Sequence, residues 1–212
     1  MAVRKVVTRR SWHFRGYFPS LKNGRSVAFE SILESGFFRL LELSPDVRSY
    51  EVQPVRESFE IEGEPAQYVP DVEVELYNGN RIWVEIKPAP HTKNQSTAAR
   101  LDAAATHFGV TNRRFEVVTD EVIWAEPRST TVLEILYHRR GPSLTTPQWL
   151  DLFTRIKIES PQTIAELCSL VGEAQAWRLL GLGKIGVDLE KTLSSKSPIY
   201  IEGGHRHADF YS

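Results

Sequence analysis

The sequence predicts an α/β protein whose larger part is a mixed sheet flanked by helices and whose last part is small and mainly helical. Three observations carry this. Apolar and charged residues alternate over Val72-Glu73-Val74-Glu75-Leu76 and again over Ile82-Trp83-Val84-Glu85-Ile86, with Asn78-Gly79-Asn80 between them, which is the pattern of a β-hairpin. Helical periodicity precedes this hairpin over 26–43, and an alanine-rich helical stretch follows it over 95–108. Beyond Glu126-Pro127-Arg128 the alternation stops and helical patterns dominate.

Taken in order, residues 1–25 hold Arg4, Lys5, Arg9, Arg10, Arg15, Lys22 and Arg25 and no acid, interleaved with Trp12, His13, Phe14, Tyr17 and Phe18. A cationic arm with aromatic residues suits phosphate-backbone contact and stacking, so Arg9, Arg10, Arg15, Lys22 and Arg25 are the candidate DNA-binding residues. A solvated tail is the competing reading. Residues 26–43 are expected as one helix with Val27, Ile32, Leu33, Phe37, Leu40 and Leu41 on one face, bent near Gly36 and containing Glu30. Short strands are expected at 52–55 and 58–61, with Gly63-Glu64-Pro65 as a turn before the hairpin. Pro88-Ala89-Pro90 ends the hairpin's second strand, Gly109 closes the helix that begins at 95, and 114–119 is a further strand. Helix, strands, hairpin, helix, strand is the order of a restriction-endonuclease-like core, with a cation site at one edge of the sheet.

The expected divisions are a basic arm (1–25), a nuclease catalytic domain (26–127) and a winged-helix-like partner-docking domain (128–212). In the last, helices are expected at 132–139, 147–156, 161–171 and 173–182, followed by 184–189 and 198–201 as a two-stranded wing. Residues 91–212 carry 14 bases and 14 acids, which favours docking protein over binding DNA. His205, His207 and Asp209 have a spacing compatible with chelation, but a frayed polar tail is the preferred reading.

Composition sets the outer bounds. With 212 residues, 41% hydrophobic and 25% charged, the chain can bury a sizeable core. The formal net charge of −1 conceals an acidic stretch, 13 acids against 5 bases over 26–90, behind the basic arm. A single cysteine, Cys168, leaves no intrachain disulfide and fits a reducing compartment; its helical surroundings read as buried filler. No apolar run approaches the length of a membrane span and the basic N-terminus lacks the apolar block of a signal peptide, so a cytoplasmic protein is expected.

The chemistry concentrates on the hairpin. Asp71 opens the first strand and Glu85-x-Lys87 ends the second, so antiparallel pairing brings them to the same end. With a three-residue loop, Tyr77 faces Arg81, Glu73 faces Glu85 and Asp71 faces Lys87, all on one face; a two-residue loop would split the carboxylates between faces. Carboxylates from Asp71 and Glu85 could hold a hard divalent cation that activates water for phosphodiester hydrolysis, with the Lys87 ammonium beside the attacked phosphate. A solvated charged face on an ordinary hairpin is the alternative for so short a pattern.

Several motifs in order sharpen this: Gly16-Tyr17-Phe18-Pro19-Ser20-x-Lys22 with Arg25, Phe29-Glu30-Ser31-x-x-Glu34, Val47 to Tyr50 leading to Gln53-Pro54, Tyr68-Val69-Pro70-Asp71, Val84-Glu85-Ile86-Lys87-Pro88, and Phe115 to Asp120. On these the chain resembles the TnsA family, endonuclease subunits of heteromeric transposases with a PD-(D/E)XK core, over roughly the first 125 residues and loosely beyond. The resemblance implies that Glu30, Asp71 and Lys87 are catalytic, joined by Glu85 where the family can have Gln, and that Asp71, Glu85 and Glu30 hold Mg²⁺, for which Mn²⁺ is expected to substitute. It implies cleavage of the non-transferred strands at the 5′ ends of a mobile element, beside a TnsB-like DDE transposase and a TnsC-like ATPase regulator. The rival expectations are a stand-alone restriction or repair nuclease of the same fold and a non-catalytic DNA-binding or assembly module.

Overall fold

The computed structural model describes residues 14–141 and 144–211, so Arg9 and Arg10 of the expected DNA-binding set lie outside the described residues. Two compact units result. The first holds the residues up to Glu42, Asp46–Trp124 and the chain from Asp209 on; the second holds Leu43–Pro45 and Ala125–Ala208. The division falls three residues before the expected 127/128 boundary, and the C-terminal residues return to the first unit.

The first unit opens with an antiparallel ribbon, β1 (Gly16–Ser20) and β2 (Arg25–Phe29), then α1 (Ile32–Leu43) and β3 (Val47–Val52). A second ribbon, β4 (Glu57–Ile61) and β5 (Glu64–Tyr68), leads to β6 (Val72–Leu76) and β7 (Arg81–Lys87). The short α2 (Ala89–Thr92), α3 (Gln95–Val110), β8 (Arg114–Thr119) and the short α4 (Asp120–Ile123) complete it. The main sheet has the order β3-β6-β7-β8, with β7 and β8 parallel and the other pairs antiparallel. Parallel pairing requires a crossover, and α2 and α3 supply it. This is the expected mixed sheet flanked by helices.

Both faces of the sheet are covered. Val72, Val74, Ile82 and Val84 are buried on one face, where Tyr50, opposite Val74 in β3, meets Phe38 of α1 with ring centroids 5.3 Å apart. On the other face Trp83 of β7 lies beside Phe115 of β8, and both pack against Phe108 of α3. Tyr68 and Phe59 of the second ribbon extend this aromatic layer. Coverage on both sides explains why Glu85, on the Trp83 face, is only 6% exposed.

Several expectations are corrected. Residues 26–29 are strand, not helix: Val27 and Phe29 are buried on one side of a ribbon, and α1 starts only at Ile32, after Ser31. Glu30 therefore precedes the helix. Gly36 does not interrupt α1; it admits a close neighbour, since a Cβ there would lie 2.4 Å from the Trp124 ring. The strand expected at 52–55 is β3, five residues earlier, and Glu64-Pro65 begin strand β5 rather than forming a turn. Part of the expected arm, 16–25, is the first ribbon.

The second unit has α5 (Arg128–Tyr137), α6 (Thr146–Glu159), α7 (Ile164–Val171) and α8 (Glu173–Gly181). Thr145 and Gln148 form a capping box at the start of α6, with Pro147 in its first turn. In place of the expected two-stranded wing there is an isolated antiparallel bridge, Gly186 to Tyr200, and a parallel one, Asp188 to Arg206. Gly186 lies against the Gly204 carbonyl, where a Cβ would approach to 1.8 Å, so the segment is packed coil rather than a free ribbon. The tail is not frayed either: His205 is buried, its Nδ1 accepting from Val187 N–H and its Nε2 3.0 Å from the Leu180 carbonyl. Cys168 is half-buried on α7, not core filler. Among the described residues no helix is long and apolar enough to cross a membrane.

Candidate active site

The β6–β7 ribbon decides which side chains can meet. Val72 pairs with Val84, Glu73 with Trp83, Val74 with Ile82 and Glu75 with Arg81. The register is thus two residues away from the expected one: Glu73 faces Trp83 rather than Glu85, and Asp71 arrives beside Glu85 rather than Lys87. The cause is at the hairpin end. Leu76 N–H bonds the Asn80 carbonyl (2.9 Å), Gly79 N–H bonds the Leu76 carbonyl (3.0 Å) and Tyr77 N–H bonds the Asp46 carbonyl (2.9 Å), so Leu76 closes the hairpin with Asn80 and the three-residue loop is 77–79 rather than 78–80. Because the shift is two residues, side-chain parity survives and Asp71 and Glu85 still share a face.

Asp71, Glu85 and Lys87 converge. The Lys87 amine is 2.6 Å from Glu85 Oε1 and 4.0 Å from Asp71 Oδ2. Ile86 N–H donates to Asp71 Oδ2 (2.8 Å), tying this carboxylate to the strand that carries the other two groups. Tyr68 at the end of β5 donates its hydroxyl to Glu85 Oε2 at 2.8 Å. The group lies at the ends of the two central strands, at one edge of the sheet as expected, with β3 and β8 flanking them.

Glu34 is a further acid whose charge is felt at this group. It is in the first turn of α1, where its N–H bonds Ser31 Oγ and its carboxylate accepts from Glu30 N–H (2.8 Å) and Ser31 Oγ (3.0 Å), a capping-box arrangement. Burial raises the Glu34 carboxyl, Glu30 adds to this, and Lys87 opposes it. Burial and then Glu85 push the Asp71 carboxyl well above the usual carboxylate range, against the pull of Lys87 and of the Ile86 amide, and Glu34 pushes it further. Burial acts to lower the Lys87 amine, but Asp71 and then Glu85 outweigh it, so the amine is held charged. Glu34 thus feels the charges of the Asp71–Lys87 group and acts on them in turn. The Ser31-x-x-Glu34 spacing, a helix-start signature in the sequence, was the signal for it.

The other expected residues fall elsewhere. Glu30 makes an ion pair with Arg15 (3.3 Å) and accepts a long bond from Gln53 Nε2 (3.5 Å). Lys22 is not an outward-facing phosphate contact: its amine donates to the Val47 carbonyl, and burial lowers it to about 8 despite Glu42 and Asp46. Arg25 is exposed at the start of β2. His207 pairs with Asp188 (2.7 Å), not with a chelating partner in the tail.

Sequence reasoning gave Gln53 no role in the site. It is buried, has φ of +46°, and its N–H donates to the Asp71 carbonyl (2.9 Å). A left-handed, non-glycine residue is strained, and this one fixes the chain entering the site at Asp71. Only the structure reveals it, since positive φ in a glutamine leaves no mark in composition.

Among the described residues no group of three or more His, Cys, Asp or Glu side chains forms a ready metal cage. The donors in position are two carboxylates, Asp71 and Glu85, of which the Asp71 side chain keeps 20% exposure. A mixed sheet flanked by helices, with an acid, a second acid and a lysine at its central strand ends, is a restriction-endonuclease-like architecture. Residues 44–120 match the family model described as TnsA-like endonuclease N terminal, so this stretch of the chain is similar to the N-terminal domain of TnsA-like endonucleases. The match runs from just before β3 through β8 and so contains Asp71, Glu85 and Lys87; Glu30 and Glu34 precede it. No curated protein matches the chain.

Proposed function

We propose that this protein is a divalent-cation-dependent DNA endonuclease that cuts the non-transferred, 5′ strands at the ends of a mobile element as one subunit of a cut-and-paste transposase. The observation that carries this reading is the meeting of Asp71 and Glu85 across the ribbon with the Lys87 amine between them. Two acids share one amine, and the Asp71 carboxyl is raised by burial first and then by the Glu85 charge, a strain on the ionised form that a hard cation would relieve. Mg²⁺ fits a site of one or two carboxylates because it keeps several waters and takes phosphate oxygens for the rest. Asp71 and Glu85 would hold it, and when bound it supplies charge neutralisation at the phosphate and a more acidic water.

The protein groups then have distinct tasks. Lys87, held charged, stabilises the negative charge that develops on the attacked phosphate. Glu34, with its raised carboxyl, takes the proton released by the attacking water. The Arg15–Glu30 pair and exposed Arg25 favour phosphate contacts that position DNA without reading its sequence. The second unit is the docking module for a DDE transposase that cuts and joins the 3′ ends and for an ATPase regulator.

The test is reconstitution with a DDE transposase partner, on end-labelled element DNA. Asp71→Ala should abolish 5′ nicking and retain 3′ cutting and joining. Full 5′ nicking by this variant refutes the proposal. Nicking by the purified chain alone, without any partner, would assign it instead to the stand-alone nucleases.

A further inference from the structure

We infer that Tyr68 is a positioning residue for the Glu85 carboxylate: its hydroxyl holds Oε2 so that Oε1 faces Lys87 and the cation position. The inference rests on the proposed nuclease reading and deepens it. Glu85 has two oxygens with different partners, the Tyr68 hydroxyl at 2.8 Å on one side and the Lys87 amine at 2.6 Å on the other. A carboxylate held at one oxygen by a fixed donor loses its freedom to rotate or to bind a cation through both oxygens. The second oxygen is then presented in a single direction.

The donor is fixed because the ring is fixed. Tyr68 is 1% exposed. Phe59 packs 5.5 Å from its centroid, Phe115 meets it edge-on at 6.2 Å, and the Arg100 guanidinium lies 5.3 Å over its face while donating to the Gln67 carbonyl (3.0 Å). Tyr68 is also the last residue of β5, three residues before Asp71. The ribbon β4–β5 and helix α3 thus act on the site through one phenol.

A phenol buried only for packing would be replaced by phenylalanine without consequence, which gives the test. Mn²⁺ binding is measured by calorimetry on the full chain for the wild type, Tyr68→Phe, and Phe59→Leu, which loosens the same ring cluster but leaves the hydroxyl. Loss of an outer-shell donor to a ligand typically weakens metal binding by roughly 10 to 100-fold. Tyr68→Phe should show a fall of this size with little change in melting temperature. Phe59→Leu should melt lower and bind Mn²⁺ as the wild type does. In the reconstituted nicking reaction Tyr68→Phe should need correspondingly more cation while its KM for DNA is unchanged. Mn²⁺ affinity in Tyr68→Phe equal to that of the wild type, or an equal loss in Phe59→Leu, overturns the inference and leaves the nuclease reading intact. A wild-type protein that binds no Mn²⁺ overturns both.

Discussion

Replacing Lys87 with methionine removes the one amine between two carboxylates while keeping the length and apolar stem of the side chain. At an effective dielectric of about 20, unit charges at 2.6 and 4.0 Å, the Glu85 and Asp71 distances, attract by roughly 6 and 4 kcal/mol gross. The amine's own desolvation and the 33% exposure of its side chain reduce this to a net loss of about 2 to 3 kcal/mol on truncation. For a chain of this size that is a fall of roughly 4 to 12 °C in melting temperature. The Lys87 amine is raised in the folded state, so its contribution is complete below its unfolded value and is lost only as pH rises through the folded one. Between pH 5 and 9, about where the amine stays charged, the pH dependence of the variant must come from the carboxylates, and the destabilisation should shrink as they protonate. Divalent cation, replacing the missing charge, should restore most of the lost stability at pH 8 but not nicking. Thermal melts with chelator and with Mg²⁺, at pH 5 and pH 8, measure this. Equal destabilisation with chelator and with Mg²⁺ would falsify the shared-charge account of the site.

Asp71→Asn keeps an oxygen to accept from Ile86 N–H and removes the buried charge. Since the folded carboxyl is raised, the wild type without cation should lose stability as pH rises from about 3.8, the unfolded value, through the folded one; the variant should lack this slope and melt higher at pH 8 while failing to nick. Glu34→Gln should lower 5′ nicking by at least roughly a hundredfold, the lower range for a missing general base, whereas Glu30→Gln should mainly weaken DNA binding through Arg15; equal kinetic effects of the two would reverse their assignment. Gly36→Ala places a methyl 2.4 Å from Trp124 and 2.7 Å from Ile123, an overpacking expected to cost about 1 to 3 kcal/mol, read as an earlier unfolding of the first unit in denaturant. Phe108→Ala, at the centre of the aromatic layer with no exposed surface, should cost about 3 to 5 kcal/mol.

Much of the sheet was legible because period-two alternation is a local signal. Val72, Val74, Ile82 and Val84 declare a buried face by themselves, and the helix from Gln95 and the strand Arg114–Thr119 follow from composition and turn residues. The first ribbon was not legible as such: Val27 and Phe29 fit the apolar stripe of the following helix as well as they fit a strand, and only pairing with β1 separates the two readings. The same ambiguity put Glu30 inside a helix and hid Glu34, although the Ser31-x-x-Glu34 cap was present in the sequence. Winged-helix expectations at 184–201 failed for the reverse reason. Short apolar runs there are held as coil by Gly186 against Gly204, a contact across 18 positions with no local signature.

The sequence alone determined that two acids and a lysine would come to one end of a ribbon and, given a loop of odd length, to one face of it, since parity along a strand is a property of the chain. Tertiary structure decided everything that depends on distance between segments. The two-residue register shift goes with a hairpin closed at Leu76 and Asn80 rather than at Tyr77 and Arg81, and the place of Glu34 in a first helical turn with where α1 begins. The raised Asp71 carboxyl and the Tyr68 clamp on Glu85 come from burial beneath elements far away in sequence. Side-chain direction is set within a few residues of backbone, whereas charge, solvation and hydrogen-bond partners are set by whatever the fold brings against them.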